Sequence, residues 1–291
     1  MTGAELSVQY RGDLSSCNYD CGYCPFAKRL DSAALTAQDR ISLTRFVDWC
    51  ERSSFSLRIL FTPWGEALVR KHYRDAFVRL SHLEHVLELG IQTNLSRAPS
   101  WLASGRRDNI NLWCTYHPSQ TTRARFLRRI EQLMHLGIGF SVGMVALRED
   151  YTEILAMRRI LDELAPSANK PIYLWLNAYD VRSADYYAPE DIAMLAAVDP
   201  HFVYNVKPNP SLGADCRAGH SAISVNAQGD VRPCHFVQRS LGNLYDGSFA
   251  KQLSRQTCPK AQCECYIGYA LRRDLPFAAP LTRRNLPRQS V

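Results

Sequence analysis

The 291-residue sequence predicts an α/β protein: a partial (β/α)6 barrel of the TIM type, followed by a small unit of β-hairpin and helix. Three observations predict it. Apolar, β-branched stretches alternate with amphipathic helical ones up to about residue 199. The strand-like stretches are apolar enough for a parallel sheet buried on both faces. After about residue 200 the alternation stops, and hairpin and turn signals take over. Six β/α units predict an open or partial barrel, where an eightfold one would close.

The elements follow in order. "ELSVQYRG" (5–12) alternates as a strand does. "TAQDRISLTRFVDWCER" (36–52) is an amphipathic helix with Thr36 as N-cap and Asp39 at N3. "FSLRILFTPWGE" (55–66) is a strand running into a loop, and "EALVRKHYRDAFVRL" (66–80) is helical. "HVLELGIQTNLS" (85–96) and "NINLWCTYHP" (109–118) are strands. "TTRARFLRRIEQLMHLG" (121–137) is a helix ended by Gly137. "IGFSVGMVAL" (138–147) is a strand, then "DYTEILAMRRILDEL" (150–164) a helix with Asp150 and Glu153 as a capping pair. "PIYLWLNAYD" (171–180) is the sixth strand, and "PEDIAMLAAVD" (189–199) a helix opened by Pro189. Beyond it, "SAISVNAQGDVRPCHF" (221–236) reads as a hairpin turning at residues 226–229. A short helix (247–257), a cysteine cluster (258–269) and a Pro/Arg-rich tail complete the chain. The expected units are 1–200, 201–275 and a flexible tail over 276–291.

Composition excludes several classes. The chain is 46% hydrophobic and 22% charged, as soluble globular proteins are. No apolar run reaches the roughly 18 residues of a membrane span, and "MTGAELSVQYRGD" lacks the features of a signal peptide. A cytoplasmic location is expected, with no membrane partner. The net charge of +7 is spread over helices such as 121–133 and reads as a solvated basic face, with no nucleic-acid motif beside it.

The ten cysteines do not suit a disulfide framework in such a chain. Cys17, Cys21 and Cys24 form one group, and Cys216, Cys234, Cys258, Cys263 and Cys265 another. Two metal or iron–sulfur sites are expected. Cys50 and Cys114 stand alone and read as core thiols.

The first group, C-x3-C-x2-C, sits in the loop after the first strand, where barrels gather functional groups. A zinc site needs a fourth Cys or His, and the nearest His is His72. A [4Fe–4S] cube takes one thiolate per iron, so three thiolates leave one iron open to an exchangeable ligand.

This arrangement resembles the radical S-adenosylmethionine (SAM) superfamily. The resemblance implies that SAM chelates the open iron. The reduced cluster would cleave it to a 5′-deoxyadenosyl radical, which abstracts hydrogen from a substrate. It also assigns SAM-binding residues. Tyr23 is expected against the adenine. "TPWGEAL" places Gly65 and Glu66 at the second strand's end beside the methionine amino group, with Trp64 where the family has glycine. Thr93 and Asn94 end the third strand, and His117, after the fourth, is expected near the ribose. Residues 144–149 match the fifth-strand pattern loosely, with Ala146 for Gly. Trp64, Tyr116, Trp175 and Asn177 are the substrate-pocket candidates, and Trp113 and Tyr179 lie at or near strand ends with them.

The spacing Cys216-x12-Gly229-x4-Cys234 resembles the opening of the auxiliary-cluster segments called SPASM and Twitch. Five cysteines exceed one cluster's four ligands and fall short of a two-cluster segment's seven, so the one-cluster Twitch form is the nearer match. Which of the five is spare stays open. The resemblance implies a second cluster that takes up an electron, a flavodoxin- or ferredoxin-type reductant, and a peptide or small-molecule substrate. With the first strand starting near residue 5, a peptide would need a separate recognition protein. The rival reading is a zinc-binding scaffold protein with a degenerate barrel. "RGD" (11–13) reads as a strand end and His235 as a surface hairpin residue.

Overall fold

In the computed structural model, residues 3–26, 30–168, 171–179 and 185–275 are described. Six strands, β1 (Glu5–Arg11), β2 (Ser56–Phe61), β3 (Val86–Thr93), β4 (Ile110–Thr115), β5 (Gly139–Val145) and β6 (Leu174–Asn177), pair in parallel and in chain order. Parallel neighbours need crossovers. These contain helices α1 (Ala33–Arg52), α2 (Lys71–Ser81), α3 (Arg123–Leu136) and α4 (Tyr151–Leu164), with α5 (Pro189–Val198) after β6. Between β3 and β4 the crossover holds only a short turn of helix, Pro99–Ser104.

Helix starts differ from expectation for local reasons. Ser32, not Thr36, caps α1, its hydroxyl accepting from Leu35 N at 3.1 Å. The helix therefore begins a turn earlier, and Asp39 lies inside it. Buried there, Asp39 accepts from Leu14 N and from the Tyr73 hydroxyl, tying the loop after β1 to both α1 and α2. Glu66 does not start a long helix. It caps the short turn Ala67–Val69, and α2 begins at Lys71. Asp150 makes no side-chain cap, and Glu153 instead accepts from Tyr116 and Arg123. Gly137 closes α3 as expected, in the left-handed conformation.

The hairpin beyond residue 200 is built onto this sheet. Strand β9 (Ala222–Asn226) lies parallel to β1, with Ser7 opposite Ala222. Gly229, at φ 86°, turns the chain into β10 (Asp230–Arg232), and β11 (Gly242–Asn243) forms the outer edge. The single nine-stranded sheet therefore crosses the boundary expected at residue 200. Two small ribbons follow: β8 (Asp215–Cys216) with β12 (Gln256–Thr257), and β7 (Asn209–Pro210) with β13 (Gln262–Cys263). The helix expected over 247–257 is a turn, Ser248–Gln252, that gives way to β12. A final helix, α6 (Tyr266–Leu271), was not expected. The tail over 276–291 and residue 180 lie outside the described residues.

Strand alternation sorts the core into two layers. Leu112 and Cys114 of β4 and Leu174 and Leu176 of β6 face the helices, with Tyr10 stacked on Phe46 at 4.1 Å. Trp113, Trp175 and Leu60 face the opposite way and pack against Cys216, Ala218, Ile267 and Leu271. The C-terminal segment thus covers the sheet's inner face. Gly143 makes room there, because a Cβ would stand 2.0 Å from the Trp175 ring. Cys50 and Cys114 are fully buried core thiols. Among the described residues no helix is long and apolar enough to cross a membrane.

Candidate functional site

One cavity of about 530 Å³ opens at the carboxyl ends of the parallel strands. The loop carrying Cys17, Cys21 and Cys24 forms one wall, and all three cysteines line it. Local hydrogen bonds explain how the loop is held. Asp31 accepts from the Ser15 and Ser16 hydroxyls at 2.8 and 2.5 Å, and Arg70 donates to Ser16 Oγ at 2.8 Å. The serines ahead of Cys17 are therefore anchors, which the sequence reading missed.

Gly65 packs directly against that loop. A Cβ there would lie 1.8 Å from the Ser16 carbonyl oxygen, and Glu66 N donates to the same oxygen at 3.2 Å. Only glycine permits this approach. Glu66 itself is buried. One carboxylate oxygen accepts from Thr93 Oγ1 and Leu68 N at 2.8 and 3.0 Å, and the other from Asn94 N at 2.5 Å. Burial pushes its carboxyl up to about 7, against the pull of these donors. Asn94 in turn reaches Cys17 Sγ at 3.7 Å. The residues expected to hold SAM thus also fasten the ends of β2 and β3 to the cysteine loop.

Tyr23 and His117 form the facing wall. Their rings stack at 6.0 Å, and the Tyr23 hydroxyl lies 2.6 Å from His117 Nδ1. Burial lowers His117 to about 4, so the ring is neutral where it meets the Tyr23 hydroxyl. Cys21 Sγ stands 3.5 Å from the same nitrogen. Trp113, Trp175 and Asn177 line the inner side, with Trp175 Nε1 donating to Ser141 Oγ at 3.2 Å.

Tyr116 corrects the expectation. It is 2% exposed and not part of the cavity; its ring packs on Phe126 and its hydroxyl donates to Glu153. It faces the helices, as Cys114 does two residues earlier, whereas Thr115 lines the cavity. Trp64 stands at the mouth, 42% exposed. It stacks on Phe26 at 5.9 Å and takes the Arg11 guanidinium over its ring at 5.4 Å. Arg11 also meets His235 at 2.9 Å, so His235 is built into the site's edge and is not a free surface residue. Tyr179 and Phe236 complete an aromatic rim.

The C-terminal segment reaches the same cavity through Glu264 and Cys265. Nothing in the spacing revealed this, because the contact joins residues more than 200 positions apart. All ten cysteines are free thiols. Burial raises Cys216, Cys234 and Cys263, the last two to about 11 and about 12, while neighbouring backbone N–H groups pull each the other way. N–H groups turned toward sulfur are the surroundings that a cluster's thiolates need. Among the described residues no three His, Cys, Asp or Glu side chains converge on a point as a single ion requires. A four-iron cube takes its thiolates on separate corners, a wider spacing.

No family model matches the chain. No curated protein matches it either. Among solved structures, native anSMEcpe with bound AdoMet (SAM) matches at 14% identity and a TM-score of 0.55, over 85% of this chain and 83% of that one. The same protein with AdoMet and a peptide gives 14% and 0.55, over 86% and 81%. A polyhistidine-tagged form with AdoMet gives 14% and 0.53, over 86% and 80%. The chain has the fold of these AdoMet-bound anSMEcpe structures.

Proposed function

We propose that this chain is a radical SAM enzyme with one auxiliary iron–sulfur cluster. The observation that carries the reading is one cavity lined both by the Cys17, Cys21 and Cys24 loop and by the C-terminal cysteine segment. The donor set fits, since three thiolates on one short loop can hold three corners of a [4Fe–4S] cube and leave the fourth free. Four of Cys216, Cys234, Cys258, Cys263 and Cys265 would hold the second cluster. When bound, the first cluster and SAM supply a 5′-deoxyadenosyl radical, and the second takes up an electron.

The chain's own residues bind, orient and exclude water. Gly65, Glu66, Thr93 and Asn94 hold the end of SAM that chelates iron. Tyr23 and His117, locked together by their hydrogen bond, offer a flat wall for adenosine. The rim of Phe26, Trp64, Tyr179 and Phe236 narrows the mouth and keeps water from the radical. Trp64, Trp175 and Asn177 are the substrate-side residues. The substrate is a peptide or small molecule, and bound peptide in one anSMEcpe structure supports the former. A flavodoxin- or ferredoxin-type protein is the expected reductant, a separate recognition protein the expected partner for a peptide, and the cytoplasm the expected location.

Anaerobic purification tests this. The protein should be brown, hold about eight irons per chain, and release 5′-deoxyadenosine from SAM on reduction. Replacing Cys17, Cys21 and Cys24 together with Ala should abolish that release and leave the C-terminal cluster. Continued cleavage by this variant, or a colourless protein with stoichiometric zinc, would refute the reading.

A further inference from the structure

A buried arginine in the C-terminal cysteine segment has one nitrogen unsatisfied among the described residues. Arg272 follows α6 and is 5% exposed. Its Nε donates to Asp274 Oδ1 at 3.0 Å, and Nη2 turns to the other carboxylate oxygen. Nη1 is buried and has no hydrogen-bond partner among the described residues. The backbone of Arg272 bridges that of Cys216. Asp274 above all, and then Cys263 and Cys258, favour its charged form.

A buried N–H that finds no acceptor is costly, and more so when it carries charge. Asp274 offsets only part of this, since its side chain is 45% exposed and engages only two of the three guanidinium nitrogens. Besides Asp274, the groups that act on the Arg272 charge are the Cys263 and Cys258 thiols, and thiols accept weakly while protonated. Thiolates bound to iron are strong, negatively charged acceptors. The unsatisfied nitrogen therefore points to a sulfur acceptor that arrives with the cluster.

We propose that Arg272 donates from Nη1 to a sulfur of the auxiliary cluster and shifts its one-electron couple toward the reduced form. The proposal rests on the reading that the C-terminal cysteines hold such a cluster. The reduced cluster carries one more negative charge, so a fixed cation and an N–H···S bond stabilise it more than the oxidised one. That bias suits a cluster that accepts an electron.

The test uses the full chain with Cys17, Cys21 and Cys24 replaced by Ala, so that only the C-terminal cluster reports. Its couple is titrated with dithionite and mediators under EPR. Adding Arg272→Gln should shift the redox equilibrium at least about tenfold toward the oxidised form, or about 59 mV for one electron. Arg272→Lys, which keeps the charge and loses the planar fork, should shift it less. An assembled cluster with an unchanged couple in Arg272→Gln overturns the proposal. Should both variants fail to fold, pulsed EPR of the chain labelled with 15N-guanidino arginine decides. Coupling of a guanidinium nitrogen to the reduced cluster supports the proposal, and its absence overturns it. If no iron–sulfur cluster assembles in the triple-alanine chain, the auxiliary-cluster reading fails with it, which the iron content shows before any potential is measured.

Discussion

Replacing Gly65 with Ala tests how the cysteine loop is held. The new Cβ would stand 1.8 Å from Ser16 O and 2.5 Å from Ser16 C, both backbone atoms that no rotamer change can move. The two segments must part by roughly 1 Å or more, and a packed interior passes such strain on. Overpacking of this kind costs about 1–3 kcal/mol. The Glu66 N to Ser16 O bond at 3.2 Å adds about 0.5–1.5 kcal/mol when broken. A loss of about 2–4 kcal/mol lowers Tm by roughly 3–7 °C in a chain of this size. Ser16 adjoins Cys17, so iron at the first site should fall as well. Gly22→Ala is the control on the same loop: nothing among the described residues lies within 4 Å of its Cβ, and the change should stay within about 0.5 kcal/mol. Thermal unfolding and iron content per chain read both variants. Wild-type Tm and full iron in Gly65→Ala, or equal losses in Gly22→Ala, would refute the reasoning.

Three further outcomes are expected. Glu66 has a folded value of about 7 against 4.5 when solvated, so the folded state holds its proton more tightly. Its contribution to stability is therefore greatest below about pH 4.5 and declines by about 3 kcal/mol as pH rises through 7. Denaturant titrations of the cluster-free chain should show a shallower decline in Glu66→Gln, and identical slopes would sink the assignment. Gly143→Ala should cost about 1–3 kcal/mol by displacing the Trp175 ring. In a Trp175→Ala background that cost should vanish, and a double-mutant cycle with coupling under about 0.5 kcal/mol would contradict it. Tyr116→Phe removes the 3.1 Å bond to Glu153, costing about 0.5–1.5 kcal/mol. SAM cleavage should proceed at the wild-type rate, and a tenfold loss would return Tyr116 to the cavity.

Periodicity made the six parallel strands legible, because each is a short apolar run and four of the five crossovers had a helical signal; the turn at Pro99–Ser104 between β3 and β4 had none. Boundaries were less legible. Ser32 and Thr36 are both plausible caps, and only the packing of Asp39 against Leu14 and Tyr73 decides between them. Similarly, Asp150 and Glu153 have the spacing of a capping pair, but Arg123 and Tyr116 claim Glu153 from another helix and strand.

The sequence by itself determined the parallel α/β plan, the two cysteine groups and the strand-end position of the first, since these follow from local pattern and spacing. Only the tertiary structure decided which groups meet. It laid β9 beside β1 and brought Cys265 and Glu264 to the cavity of Cys17, Cys21 and Cys24. It turned Tyr116 away from that cavity and left Arg272 Nη1 buried without a partner among the described residues. The physical reason is range. Alternation and capping act over a few residues, whereas a cavity wall is assembled from strand ends and loops whose neighbours are fixed by the register of the whole sheet.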